Sequence, residues 1–170
     1  MDEMTYEWLM DYQDRSNEFW VSDLGCGMQR YRSRNWGNKG LIVLNTITKE
    51  VHPLVWPDGE ITILTKDDID WDSVNKLEHN NDARQLWVNY RFSIGNFENG
   101  VARLDWMLYP GGMYFADEDG FGMKDNDEIC VSAYIDTNCR ILIKFQEMEE
   151  FEKRNRLREE AYRILRDGRL

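Results

Sequence analysis

The sequence predicts an α+β fold, a mainly antiparallel, twisted β-sheet with a helix at each end of the chain. Three observations carry that prediction. Short β-branched and aromatic runs bounded by Gly, Asn or Asp fill residues 19–145. Apolar residues recur at helical spacing from Gln146 to Arg166. An aromatic stripe lies on one helical face of residues 5–17. At 170 residues, a single domain is expected, with an N-terminal helix over 1–18, a β-rich core over 19–145, a short helix near 66–82 and a C-terminal helix over 146–168.

Taken in order, Thr5 can cap the first helix, and Glu7 occupies the first turn, where the helix dipole favours a carboxylate. Tyr6, Leu9, Met10 and Gln13 share a face, with Trp8 and Tyr12 beside it. Phe19-Trp20-Val21 begins a strand closed by Gly25-Cys26-Gly27, and Gln29–Arg34 follows. Trp36–Gly40 turns into Leu41–Leu44, an unbroken apolar run that reads as a buried central strand. Val51–Trp56 and Glu60–Leu64 flank the hairpin signal Pro57-Asp58-Gly59. Leu86–Ile94 alternates, with Leu86, Val88, Tyr90, Phe92 and Ile94 inward. Gly100–Leu108 is a further strand, and Pro110-Gly111-Gly112 turns it into Met113–Phe115. Ile129–Asp136 and Arg140–Phe145 form a hairpin around Thr137-Asn138. The last helix carries Glu149/Lys153, Glu150/Arg154, Glu152/Arg156 and Glu159/Arg163 at i, i+4, an apolar side of Met148, Phe151, Leu157, Ala161, Ile164 and Leu165, and Gly168 past its end. That narrow stripe either covers the core or pairs with another subunit.

Composition narrows the function classes. Hydrophobic residues make up 42% of the chain, with seven Trp, eight Tyr and seven Phe, which argues for a packed core. The net charge of -11 repels phosphate backbones, so direct nucleic-acid binding is disfavoured; it favours a basic partner, or simply keeps the chain soluble. No stretch approaches the ~20 apolar residues that cross a bilayer. The Met-Asp-Glu start lacks a secretory pattern, and Cys26, Cys130 and Cys139 show no metal-ligand spacing. A cytoplasmic protein with reduced thiols and no cofactor is expected.

The chain also resembles itself. Gly40-Leu41-Ile42, Asn45-Thr46 and Lys49-Glu50-Val51 lie over Ala133-Tyr134-Ile135, Asp136-Thr137 and Arg140-Ile141-Leu142, with a two-residue insertion in one copy. Phe97-Glu98-Asn99-Gly100-Val101-Ala102-Arg103-Leu104 stands ahead of the second copy, and Trp36-Gly37 ahead of the first. These pieces, about half the chain, resemble bacterial WG-repeat proteins. The second copy departs from the pattern, with Ser132-Ala133 in place of Trp-Gly and a long insertion from Asp105 to Cys130. The resemblance implies stacked β-units used mostly for interaction, and it supplies no catalytic residues.

Four constellations could carry chemistry. The acidic stretch from Asp117 to Glu128 places Asp117, Glu118, Asp119, Asp125, Asp127 and Glu128 around Phe121, opposed only by Lys124. It has partial EF-hand spacing, but Phe121 falls at the fifth position, where calcium needs an oxygen, so no metal is expected. Its carboxylates and central aromatic suit a partner-binding surface, with a solubilising loop as the plainer alternative. Arg30, Arg32 and Arg34 alternate, so on a strand they share a face and form an anion-binding candidate; neutralising local acids is the structural alternative. Cys26 with His52 or His79 could form a thiol–base pair, and no lowered thiol pKa is visible in sequence. Trp56, Trp87, Trp106 and Tyr109 could line a ligand pocket or simply pack the core.

These readings imply a non-enzymatic acidic bacterial accessory protein that binds another macromolecule, of inhibitor or immunity type, with a basic protein as partner. The terminal helices offer a route to homo-oligomers. The alternative is a small-ligand-binding protein or enzyme built on an aromatic and arginine pocket.

Overall fold

The computed structural model describes residues 4–16, 18–33, 40–55, 68–70, 90–108, 114–117, 120–123 and 129–168. Helix α1 spans Tyr6–Ser16; strands β1 to β4 span Phe19–Gly25, Met28–Ser33, Leu41–Asn45 and Val51–Val55. Strands β5 and β6 span Tyr90–Ile94 and Val101–Leu108, and β7 and β8 span Tyr114–Asp117 and Gly120–Met123. Strands β9 and β10 span Ile129–Asp136 and Ile141–Gln146, and helix α2 spans Phe151–Asp167. The α+β class is as expected. The strands divide between two four-stranded antiparallel sheets, ordered β1-β2-β3-β4 and β10-β9-β6-β5, with β7-β8 a separate hairpin.

The two sheets are copies of one meander. Each opens with a two-residue turn whose residues both have positive φ: Cys26 (53°) and Gly27 (77°) in the first, Asn99 (52°) and Gly100 (81°) in the second. That is the type I′ geometry whose twist matches paired strands. From there the registers coincide. Met28 pairs with Asn45 as Val101 pairs with Asp136, and Arg30 pairs with Val43 as Arg103 pairs with Tyr134. The next turn also repeats. Asn45 Oδ1 accepts hydrogen bonds from the backbone N–H of Ile47 (3.0 Å) and Thr48 (3.1 Å). Asp136 Oδ1 accepts from Asn138 and Arg140, both at 2.9 Å. A left-handed residue ends each turn, Lys49 (φ 62°) and Cys139 (φ 57°). The duplication is therefore longer than the sequence comparison indicated. It takes in β1 and β2 as the counterparts of β5 and β6, and β3 aligns with β9 without an insertion.

Strand alternation sends equivalent faces the same way. Met28, Leu41 and Val43 of the first sheet meet Ala102, Leu104, Trp106, Val131, Ala133 and Ile135 of the second in one buried cluster. The opposite face of the first sheet, with Tyr31, Ile42 and Leu44, is covered by α1 through Leu9. The opposite face of the second, with Val101 and Tyr134, is covered by α2 through Leu157 and Ala161. The units thus stack head to tail, and each helix covers a face that a further unit would otherwise bury, as terminal caps do in repeat arrays. Hydrogen bonds stitch the seam: Phe97 N–H to Leu24 O at 2.7 Å, Arg32 Nη2 to Phe92 O at 2.7 Å, and Asn45 Nδ2 to Thr137 O at 3.4 Å.

Both helices start and stop for local reasons. Thr5 Oγ1 accepts the N–H of Trp8 at 3.1 Å, which fixes the start of α1. Helix α2 begins five residues later than its apolar spacing suggested, because Gln146 still pairs with Ser132 in the sheet. Met148 is buried ahead of the helix, whereas Phe151 is 68% exposed and contributes nothing to the core. None of the four expected i, i+4 ion pairs forms among the described residues. Gly168 ends α2 in the left-handed conformation, its N–H donating to Ile164 O. The Pro57-Asp58-Gly59 hairpin, the strand residues Leu86 and Val88, and the Pro110–Met113 turn lie outside the described residues. Of the helix expected near 66–82 only 68–70 are described, and there Ile69 forms a parallel bridge with Phe145.

Candidate macromolecular interface

Strand direction gives the stack two unlike ends. One end holds the tight turns at 26–27, 46–49, 99–100 and 137–139. From the other leave the long connections 34–40, 56–89 and 109–128, together with the 147–150 lead into α2. By sequence, those three connections contain fourteen Asp and Glu against six Lys and Arg, a net of -8 out of the chain's -11. Glu147, Glu149 and Glu150 add to it, Glu149 and Glu150 being exposed. Four large apolar side chains are exposed among the described residues, and three stand toward this end: Trp20 (53%) and Val21 at the start of β1, and Phe151 at the start of α2.

The β7–β8 hairpin lies within the connection from β6 to β9 and is an addition to the repeat. The β6–β9 ladder runs unbroken to the pair Leu108–Ile129, so residues 109–128 leave and rejoin the sheet at facing positions. Within that excursion Tyr114 pairs with Met123 and Asp117 with Gly120. Asp117 and Phe121 therefore lie on two short antiparallel strands, an arrangement incompatible with one continuous calcium loop. Glu118, Asp119, Asp125, Asp127 and Glu128 lie outside the described residues. Among the described residues no group of three or more His, Cys, Asp and Glu is placed to hold a metal ion.

The other candidates are placed as follows. Arg30 and Arg32 share a face of β2, as alternation requires, and it is the face turned to the second sheet. Arg30 donates from Nη2 to Ser22 Oγ at 3.1 Å, and Arg32 donates to Phe92 O across the seam. The Arg32 guanidinium thus links the two units, and that of Arg30 ties β2 to β1. Arg34 lies outside the described residues, as do His79, Trp56, Trp87 and Tyr109. Trp106 is fully buried, stacked on Phe92 (5.7 Å) and edge-on to Phe145 (5.9 Å), so it fills the core. Cys26 is exposed in its turn, with Sγ 3.6 Å from Phe97 O, and β3 separates that turn from His52 on β4. Burial lowers the pKa of His52 against the opposing charges of Glu50 and Asp136, and pushes the Cys139 thiol up to about 12.

Under α2, a polar row fastens the cap. Arg103 Nε lies 3.0 Å from Asp105 Oδ1, which also accepts from the Ser132 hydroxyl, and the Tyr134 hydroxyl donates to Arg154 O at 3.0 Å. Burial raises the Tyr134 pKa. Sequence reasoning passed over this row, because its members are adjacent only once β6 and β9 pair.

No helix among the described residues is long and apolar enough to cross a membrane. Comparison with known protein families, with functionally characterised proteins and with solved structures yields no match.

Proposed function

We propose that this is a binding protein of the cytoplasm that docks a basic protein partner onto its loop-bearing end, in the manner of an inhibitor or immunity protein. The observation that carries the reading is that connections rich in Asp and Glu by sequence leave the strands at the end where Trp20, Val21 and Phe151 are exposed. Carboxylates at a rim steer a basic partner and speed encounter, while aromatic anchors supply most of the affinity once water is excluded. The insertion over residues 109–128, whose sequence holds Asp117, Phe121, Asp125 and Asp127, is the principal contact element on this reading. In repeat proteins, insertions collect on the face used for binding. The WG-repeat resemblance, itself a proposal, agrees with it, because stacked β-units of that kind serve interaction.

The experiment is capture from host lysate, identification of the partner by mass spectrometry, and stopped-flow measurement with the purified pair. An Asp125→Asn/Asp127→Asn variant is expected to slow association by roughly threefold at low salt and to match wild type at high salt. Phe121→Ala is expected to speed dissociation by about tenfold or more. Wild-type kinetics in both variants at both salt concentrations would remove the hairpin from the interface.

A further inference from the structure

The turn-bearing end, opposite the acidic one, holds a groove of about 720 Å³ between the first turn of α1, the start of β4 and the β9–β10 turn. Residues far apart in sequence converge there, and the groups of both charge signs are incompletely matched. Lys49 sets its ammonium 4.2 Å from the centre of the Tyr6 ring and forms no ion pair among the described residues. Arg140 is tethered through Nε to the buried Asp136, and among the described residues its terminal nitrogens make no hydrogen bond. Glu7, on the first turn of α1, has no ion pair among the described residues. Among the described residues Glu50 has only His52, whose Nε2 stands 3.6 Å away, buried and without a hydrogen bond. Lys49 also holds a left-handed backbone, φ 62°, that glycine adopts at less cost, yet a long cationic side chain occupies the position.

We propose that this groove binds a small zwitterion of the α-amino-acid class. Its carboxylate would be taken by Arg140 and Lys49, and its ammonium by Glu7 and Glu50. Two cations and two carboxylates line one concavity, so a ligand carrying one charge of each sign answers both sets. A phosphate dianion would meet the two glutamates, a simple amine would meet Lys49 and Arg140, and a neutral sugar would leave all four charges partly dehydrated. The site is independent of the partner-binding end.

The test is two-dimensional NMR of the full chain titrated separately with each common α-amino acid, with acetate, methylamine and inorganic phosphate as comparison probes. At least one amino acid is expected to shift the amides of residues 5–7, 49–52 and 138–140 with an affinity of about 1 mM or better. Lys49→Gln and Glu7→Gln are each expected to weaken that binding by about tenfold while the melting temperature holds. The conservative Lys49→Arg should restore it. Absence of shifts with every amino acid at about 10 mM would overturn the proposal. So would shifts confined to other residues, or phosphate or acetate binding as tightly as the best amino acid.

Discussion

Replacing Asp136 by Ala tests the physical basis of the duplicated turn. The carboxylate is 1% exposed and accepts three hydrogen bonds, each of 2.9 Å: from Asn138 N, Arg140 N and Arg140 Nε. Bonds from backbone donors to a charged acceptor contribute roughly 1.5 kcal/mol each. The Arg140 side chain is 54% exposed, so solvent screens its share to about 0.5 kcal/mol. The sum is about 3.5 kcal/mol, which for a chain of this size lowers the melting temperature by roughly 10 °C. Asn45→Ala, at the equivalent position of the first unit, removes two neutral turn bonds and the long 3.4 Å bond to Thr137 O, and should cost about 2.5 kcal/mol. Asn138→Ala, whose exposed side chain makes no hydrogen bond among the described residues, is the control, with a change within about 0.5 kcal/mol. Urea titration monitored by tryptophan fluorescence reads all three. An Asp136→Ala midpoint indistinguishable from wild type, or a larger loss for Asn45→Ala, would refute the reasoning.

Trp106→Ala should cost about 3 to 5 kcal/mol in the same assay, since the ring is fully buried between Phe92 and Phe145. Phe151→Ala should change stability by less than about 0.5 kcal/mol, because the ring is mostly exposed. Gly27→Ala should lower the melting temperature, because φ is 77° and the new Cβ would stand 2.7 Å from the Ile47 side chain. His52 has a folded pKa below its unfolded value, so the unfolded chain takes up the proton first as pH falls. Stability is complete above about 6.5 and declines below it, and His52→Gln should flatten a melting-temperature profile there. Native thiol titration with an aromatic disulfide near pH 8 should modify exposed Cys26 readily and spare Cys139, buried and with its pKa pushed up to about 12, until the chain unfolds.

Much of the fold was legible in local chemistry. The Leu41–Leu44 run, the Thr5 cap, the Thr137-Asn138 hairpin and the Gly168 terminus each depend on neighbours within a few positions, and each is where the residues placed it. What depended on long-range pairing was not legible. A strand pattern does not say which sheet a strand joins, so two stacked sheets read as one. The repeat was half seen because Leu24–Tyr31 and Phe97–Leu104 share backbone conformation more than residue identity: Cys26 and Asn99 both take left-handed φ, one of them against its preference. Phe151 fits the helical stripe by spacing, but the helix begins there and the sheet lies further along its axis, under Leu157 and Ala161. At the candidate interface the acidic hairpin was visible as composition. Its character as an excursion appears only through the Leu108–Ile129 pair.

That pair allows the most direct test. Residues 109–128 can be replaced by a short Asn-Gly turn of the kind already present at Asn99-Gly100, closing β6 onto β9 without disturbing either sheet. Binding of the identified partner by the excised and the intact protein is then measured by calorimetry, with melting temperature recorded on both. The account predicts native melting and a loss of affinity of about a hundredfold or more. Full affinity in a folded excised protein would contradict it.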